Sequence, residues 1–174
     1  RKWNEPVEQW TPHMLLGTSL HAGMSAFMMG KPMPSEEAIN TLEAGYPQEP
    51  PEAWPHETSE KVLHKSYYAL EPHLQAIKDT ETIVGIETNL VPDVIEHTRA
   101  DLITEISEGL IVTDLKFSLK IGPEYRAKRL AEYDASFQLW CYGYWAQKKY
   151  EKKAAWLRVI QVIGTPKATV MSTT

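Results

Sequence analysis

The sequence predicts an α/β domain with a central mixed β-sheet flanked by helices. Three observations carry that expectation. Helical apolar periods fill much of the first half, a β-rich run then contains a hairpin turn, and a further helical stretch separates that run from two closing β-like segments. With 174 residues, 43% of them hydrophobic and 24% charged, the chain suits one domain with a real core. Residues 1–174 are therefore read as one unit, compatible with excision from a longer chain.

The first element is a helix over 12–30. Leu20, Met24, Phe27 and Met28 fall on one stripe, Thr18 or Ser19 is the expected cap, and Ala22, Gly23, Ser25 and Ala26 keep the other faces small. The Pro-rich 31–58 segment reads as loop around a short helix near Glu36–Ala44, stopped by Gly45. Leu63, Tyr67, Leu70, Leu74 and Ile77 then mark a long helix in which Pro72 is expected to cause a kink or a restart. "TIVGIETNL" (82–90) reads as a strand. "HTRADLITEI" and "GLIVTDLKFS" read as two more, turning at Ser107, Glu108 and Gly109. A helix from after Gly122 and Pro123 to about Lys149 follows, with Phe137, Trp140, Cys141, Tyr144 and Trp145 as its apolar stripe. "AAWLRVIQVIG" and "KATVMSTT" close the sheet.

Composition narrows the function classes. A single cysteine, Cys141, excludes a disulfide framework, a cysteine zinc site and a four-cysteine iron–sulfur cluster, and it suggests a reducing, cytoplasmic setting. No apolar run approaches a membrane span, so no membrane partner is expected. The net charge of −5 argues against indiscriminate nucleic-acid binding but leaves room for a local basic groove.

The chemistry begins in the hairpin. Asp101 and Asp114 are nearly equidistant from the turn, so with a one-residue bulge at Gly109 they emerge side by side on one face. Two such carboxylates repel unless a cation lies between them, and Mg²⁺ or Mn²⁺ suits their oxygen donors. Lys116, on the same face, is placed to act on whatever the metal holds. The competing reading of Asp114 and Lys116 is an ordinary half-exposed ion pair at a strand end. Lys120, Arg126, Lys128 and Arg129 make a basic cluster after this strand, of which Lys120, Arg126 and Arg129 are the expected phosphate contacts. Lys148, Lys149, Lys152 and Lys153 read more simply as a solvated face favoured by the helix dipole.

The order of short motifs is more specific than any one of them. "GTSLH" on a helix, the acidic residue of "VGIETNL", "RADL", "TDLK" and "QLWCY" on a helix follow one another over about residues 15–146. This resembles the RecB-like branch of the PD-(D/E)XK nuclease superfamily, including phage-type exonucleases of RecE character. The resemblance implies a restriction-endonuclease-like core and makes His21, Asp101 and Asp114 side-chain metal ligands, with the Leu115 carbonyl as another. It makes Lys116, Asp114 and Asp101 the catalytic group. Glu87 is either a further ligand, direct or through water, or a surface carboxylate of an edge strand. Gln138 and Tyr142 match the Gln-x-x-x-Tyr motif on the DNA-binding side, although a glutamine there could equally face water. Relatives often carry glycine where this chain has Arg99, which is expected either to alter the backbone slightly or to contact a phosphate.

The resemblance further implies a Mg²⁺- or Mn²⁺-dependent deoxyribonuclease without an iron–sulfur cluster. An exonuclease of recombination, repair or phage DNA processing is the leading form, in a bacterial or phage-infected cell. Its partners would be DNA and a recombination protein such as an annealing protein or helicase, and an oligomer is compatible. The alternatives are an inactive nuclease-fold module that binds DNA ends or a partner, and a small-molecule metallohydrolase.

Overall fold

The computed structural model describes residues 11–46, 55–91, 99–119, 128, 131–132, 136–164 and 169–173. Three helices come first: α1 (Pro12–Met28), α2 (Pro34–Gly45) and α3 (His56–Thr80). Strands β1 (Thr82–Asn89), β2 (Arg99–Ile106) and β3 (Gly109–Ser118) follow, then helix α4 (Phe137–Tyr150) and strands β4 (Ala154–Ile163) and β5 (Thr169–Thr173). No described helix is long and apolar enough to cross a membrane.

The five strands stand in sequence order in one sheet. Every neighbouring pair is antiparallel except β3 and β4, which run parallel because α4 carries the chain back to the starting edge between them. The sheet is therefore mixed, as its sequence suggested. Residues Leu16, Leu20, Met24, Leu63, Leu70 and Leu74 of α1 and α3 pack on Leu102, Leu115, Ile160 and Val162 of one face. Leu139, Tyr142 and Ala146 of α4 pack on Ile103, Leu110, Val112 and Val159 of the other.

Several local expectations are corrected. Helix α1 is capped by Thr11, whose hydroxyl accepts from the Met14 amide, with Pro12 opening the first turn. Thr18 and Ser19 lie inside the helix, and the Ser19 hydroxyl donates back to the Leu15 carbonyl at 2.8 Å. Helix α2 starts at Pro34 and includes Gly45. Pro72 does not restart α3, which runs as one helix from His56 to Thr80. It lies on the solvent side, while Leu63, Tyr67, Leu70, Leu74 and Ile77 are all buried. No bulge interrupts the hairpin: the register runs without a break from Ile106↔Gly109 to Leu102↔Thr113. Gly109 instead has φ +134°, where a Cβ would lie 2.4 Å from the Lys153 carbonyl oxygen.

The largest correction concerns α4. Its first residue is Phe137, where Ser136 breaks in with extended backbone and accepts from the Leu139 amide. The residues between Gly122 and the Ser136 cap are mostly outside the described set. The aromatic stripe faces outward: Phe137, Trp140 and Tyr144 are 81%, 65% and 52% exposed. What goes inward is Leu139, Tyr142, Gly143 and Ala146. A Cβ on Gly143 would stand 2.9 Å from a Leu157 methyl, so the small residue is what lets the helix lie close to β4. Of the predicted stripe only Trp145 packs against the core, and Cys141 is half-buried.

At the other end of the sheet, Arg158 Nη2 lies 2.5 Å from Glu81 Oε1 with both side chains buried, and Thr104 donates its hydroxyl to the same carboxylate. Removing one partner strands the other charge in the interior, at a cost of about 3–5 kcal/mol. Arg158→Met is therefore expected to lose that much stability in urea denaturation, and the Glu81→Met/Arg158→Met double variant to recover most of it. A single variant within about 1 kcal/mol of the wild type would show the pair to be dispensable.

Candidate metal and phosphate site

The site forms where β2 and β3 part. Their pairing ends at Leu102↔Thr113, whereas β3 stays paired with β4 as far as Ser118↔Ile163. Beyond Thr113 the β2-facing edge of β3 therefore has backbone groups without strand partners, and they must be satisfied otherwise. At Leu115 side chains take both. Its amide donates to Asp101 Oδ2 at 2.6 Å, and its carbonyl lies 3.0 Å from His21 Nε2.

That arrangement fixes the histidine. With Nε2–H donating to the carbonyl, Nδ1 is left facing two carboxylates, with a proton in the imidazolium and a lone pair in the neutral ring. It lies 3.5 Å from Asp101 Oδ1 and 3.6 Å from Glu87 Oε1. One donor atom from each of His21, Glu87 and Asp101 falls within 4.8 Å of the others, a spacing suited to a shared cation. A metal-ligating histidine commonly donates its second N–H to a backbone carbonyl, as His21 does.

Glu87 enters this group through unusual backbone. It is one of two non-glycine residues among those described with positive φ, at 46°. Such a conformation costs about 1–3 kcal/mol in a residue other than glycine. Here it breaks the alternation of β1 and turns the side chain toward His21. The carboxylate is then held by Ser25, whose hydroxyl donates at 3.2 Å, and by Arg99, whose Nε lies 2.8 Å from Oε2.

Asp114 and Lys116 share the α4 side of β3 with Leu110 and Val112. Lys116 Nζ lies 2.9 Å from Asp114 Oδ2 and 3.1 Å from Oδ1. Asp114 is buried, one residue beyond the last β2–β3 pair, and its charge acts on Asp101. On α4, Gln138 Nε2 donates to the Tyr142 hydroxyl at 2.6 Å. Lys116, Gln138 and Tyr142 line one open cleft of about 820 Å³, together with His21, Arg99, Asp101 and Leu115.

Acidic groups crowd one another around His21. Burial pushes the Asp101 carboxyl up to about 6; the charges of Asp114 and Glu87 add to this against the opposing His21 charge and Leu115 amide. Burial works against protonated His21, but Glu87, Asp101 and the Leu115 carbonyl outweigh it and hold the imidazole above its usual value. Burial raises Glu87, yet His21, Arg99 and Ser25 together bring it below the usual carboxylate range. Burial also raises the Tyr142 phenol, partly offset by Gln138. A nitrogen and several carboxylate oxygens so close together are a donor set that suits a divalent cation.

Most of the predicted site is thus brought together: His21, Glu87, Asp101, Leu115, Asp114, Lys116, Arg99, Gln138 and Tyr142 share one region. Glu87 faces the cluster instead of the surface, and Gln138, although exposed, hydrogen-bonds Tyr142. Asp114 engages Lys116, and the three-donor group consists of His21, Glu87 and Asp101. Lys120, Arg126 and Arg129 lie outside the described residues, and Lys128 is exposed beside Glu132. Ser25, His13, Thr18, Asn89 and Phe117 were not anticipated. The recurrence of His13, Gly17 and His21 at helical spacing was the one signal that could have drawn attention to that face of α1.

A comparison with curated proteins returned no match. The model of the PD-(D/E)XK nuclease superfamily matches residues 2–171, nearly the whole chain. The mixed sheet flanked by helices agrees with that family's restriction-endonuclease-like fold, so the chain belongs to the PD-(D/E)XK nuclease superfamily.

Proposed function

We propose that this protein is a divalent-metal-dependent DNA nuclease, acting as an exonuclease on DNA in recombination, repair or phage DNA processing. The observation that carries the reading is the convergence of His21, Glu87 and Asp101 on one small volume beside the Asp114–Lys116 pair. His21 Nδ1, Glu87, Asp101 and Asp114 would hold Mg²⁺ or Mn²⁺, with the Leu115 carbonyl within reach of the same region. A cation bound there would offset negative charge on a scissile phosphate and make a nearby water more acidic.

The chain's own groups supply the rest. Lys116 extends from Asp114 into the cleft, where its ammonium can stabilise charge that develops on the phosphoryl oxygens. The Leu115 peptide keeps Asp101 and His21 in place, so neither needs to reorganise when substrate arrives. Arg99 lines the cleft and retains donors beyond the one that meets Glu87, which suits it to touch a flanking phosphate. Gln138 and Tyr142 form the α4 wall along which the DNA backbone would pass. No covalent enzyme intermediate is required. A DNA-end-binding module without catalysis would tolerate loss of the lysine or a ligand, and this chain retains them. A recombination partner or an oligomer would govern access to the cleft and not the chemistry within it.

Wild-type protein incubated with end-labelled linear and circular DNA, with Mg²⁺ and with Mn²⁺, is expected to degrade the linear form. Lys116→Ala and Asp114→Ala are each expected to lower the rate by about 100-fold or more while leaving the fold intact. Cleavage of linear DNA at the wild-type rate by either folded variant would remove this site from the reaction. Equal cleavage of circles would replace the exonuclease reading with an endonuclease one.

The elevated carboxyl of Asp101 links metal to stability. A carboxyl whose folded-state pKa lies above its unfolded value makes the metal-free protein less stable as pH rises between the two, here from about 4 to about 6. The raised His21 has the same sign, since its contribution is lost as pH rises through its folded value. Bound metal needs both groups deprotonated, so Mn²⁺ should raise Tm more at pH 8 than at pH 5. Asp101→Asn should raise the metal-free Tm at pH 8 and abolish most of the Mn²⁺ shift. A Mn²⁺ shift that is unchanged in Asp101→Asn, or larger at pH 5, would contradict the assignment.

A further inference from the structure

Helix α4 has two working sides. Gln138 and Tyr142 face the cleft, and Leu139, Gly143 and Ala146 anchor the helix to the sheet. The remaining side carries Phe137, Trp140 and Tyr144, all largely exposed, at spacings of three and four residues along a single face. Helical rise spreads these three rings over roughly 10 Å.

The face is furnished for an anion with flat rings. The protein as a whole carries a net charge of −5 from 23 acidic and 18 basic residues, yet none of the acidic residues falls between Phe137 and Tyr150. Lys148 continues the aromatic row and lies 5.7 Å over the Tyr144 ring. Trp145 meets Tyr144 edge-on, with centroids 5.1 Å apart and planes at 77°, which limits how that ring can turn. Rings exposed in this way gain nothing from the fold itself, because the burial that anchors α4 is on the opposite side.

We infer that the outer face of α4 is a stacking platform for unpaired bases of a single DNA strand, contiguous with the cleft through Gln138 and Tyr142. Successive bases can lie on Phe137, Trp140 and Tyr144, while Lys148 meets the sugar-phosphate backbone beyond them. The polymer's identity as DNA rests on the nuclease reading; the preference for an unpaired strand comes from the rings. A duplex hides its base faces within its own stack and offers such rings little, whereas every unpaired base has a face to offer. The platform would thus hold a strand already separated from its complement at the cleft entrance.

The test is fluorescence anisotropy with EDTA present, using a labelled oligothymidylate of about 12 nucleotides and a blunt duplex of similar length. Trp140→Ala is expected to weaken oligothymidylate binding about tenfold, Trp140→Ala/Tyr144→Ala to weaken it further, and Trp140→Phe to retain most of the affinity. Blunt-duplex binding should change much less. Unchanged oligothymidylate affinity in the double variant overturns the inference, and so does an equal loss for duplex and single strand. Conversion of a wild-type dimer to a monomer in sedimentation, with oligothymidylate affinity unaltered, overturns it in favour of a contact between two copies. DNA hydrolysis by a wild type whose aromatic variants bind like it removes the platform and keeps the nuclease. Ring-dependent binding by a protein that hydrolyses no DNA with Mg²⁺ or Mn²⁺ keeps the platform and removes the nuclease.

Discussion

The peptide of Leu115 organises the site. Its amide and carbonyl stand on the edge of β3 that β2 has just abandoned, and two side chains from distant parts of the sequence satisfy them. A buried backbone group left without a partner is costly, so the parting of the strands demands some partner at this point. By using Asp101 for the amide and His21 for the carbonyl, the fold fixes one oxygen of the carboxylate and one nitrogen of the imidazole. The atoms left over, Asp101 Oδ1 and His21 Nδ1, are thereby aimed at each other across 3.5 Å. The clustering of these donor atoms is a by-product of satisfying the main chain.

Electrostatics explains why such a group persists despite its cost. Asp101 is buried among other carboxylates, and the positive φ of Glu87 brings yet another carboxylate toward it. An ordinary core would disperse such charges. Instead two cationic side chains bracket the group, Arg99 at Glu87 and Lys116 at Asp114, and both extend to the cleft. Strain and like-charge repulsion at one point, with cations at its margins, fit a place where a divalent ion and a phosphate meet. The structural pair Arg158 and Glu81 makes the contrast clear. There a buried cation meets one buried carboxylate, and the two charges offset each other directly.

What the sequence revealed follows from the range of each interaction. The register of the hairpin that carries Asp101 and Asp114 was legible because counting from the turn gives it as far as Leu102↔Thr113; even the bulge invoked at Gly109 proved unnecessary. Asp114 and Lys116 were legible for the same local reason. His21 lies 94 residues from its partner carbonyl, so only the order of motifs tied it to the strand. Contacts such as Ser25 with Glu87 had no local signature, nor did the positive φ of Glu87 in a stretch that reads as plain strand. The cap of α1 has a local signal in Thr11 before Pro12, whereas the hydroxyls of Thr18 and Ser19 lie inside the helix.

Helix α4 was misjudged because hydrophobicity was equated with burial. Aromatic side chains are wide, and a helix that must lie close to a sheet presents its narrow side. Gly143 and Ala146 meet the sheet, and the Leu157 methyl occupies the space that a Cβ on Gly143 would need. Turning the rings inward would lift the helix away from β3 and β4, and Gln138 and Tyr142 would leave the cleft with it. The position of the cleft wall and the outward face of Phe137, Trp140 and Tyr144 are therefore one decision of the fold. The small residues that bring the Gln-x-x-x-Tyr motif to the Asp114–Lys116 strand are also what leave three aromatic rings facing solvent beside it.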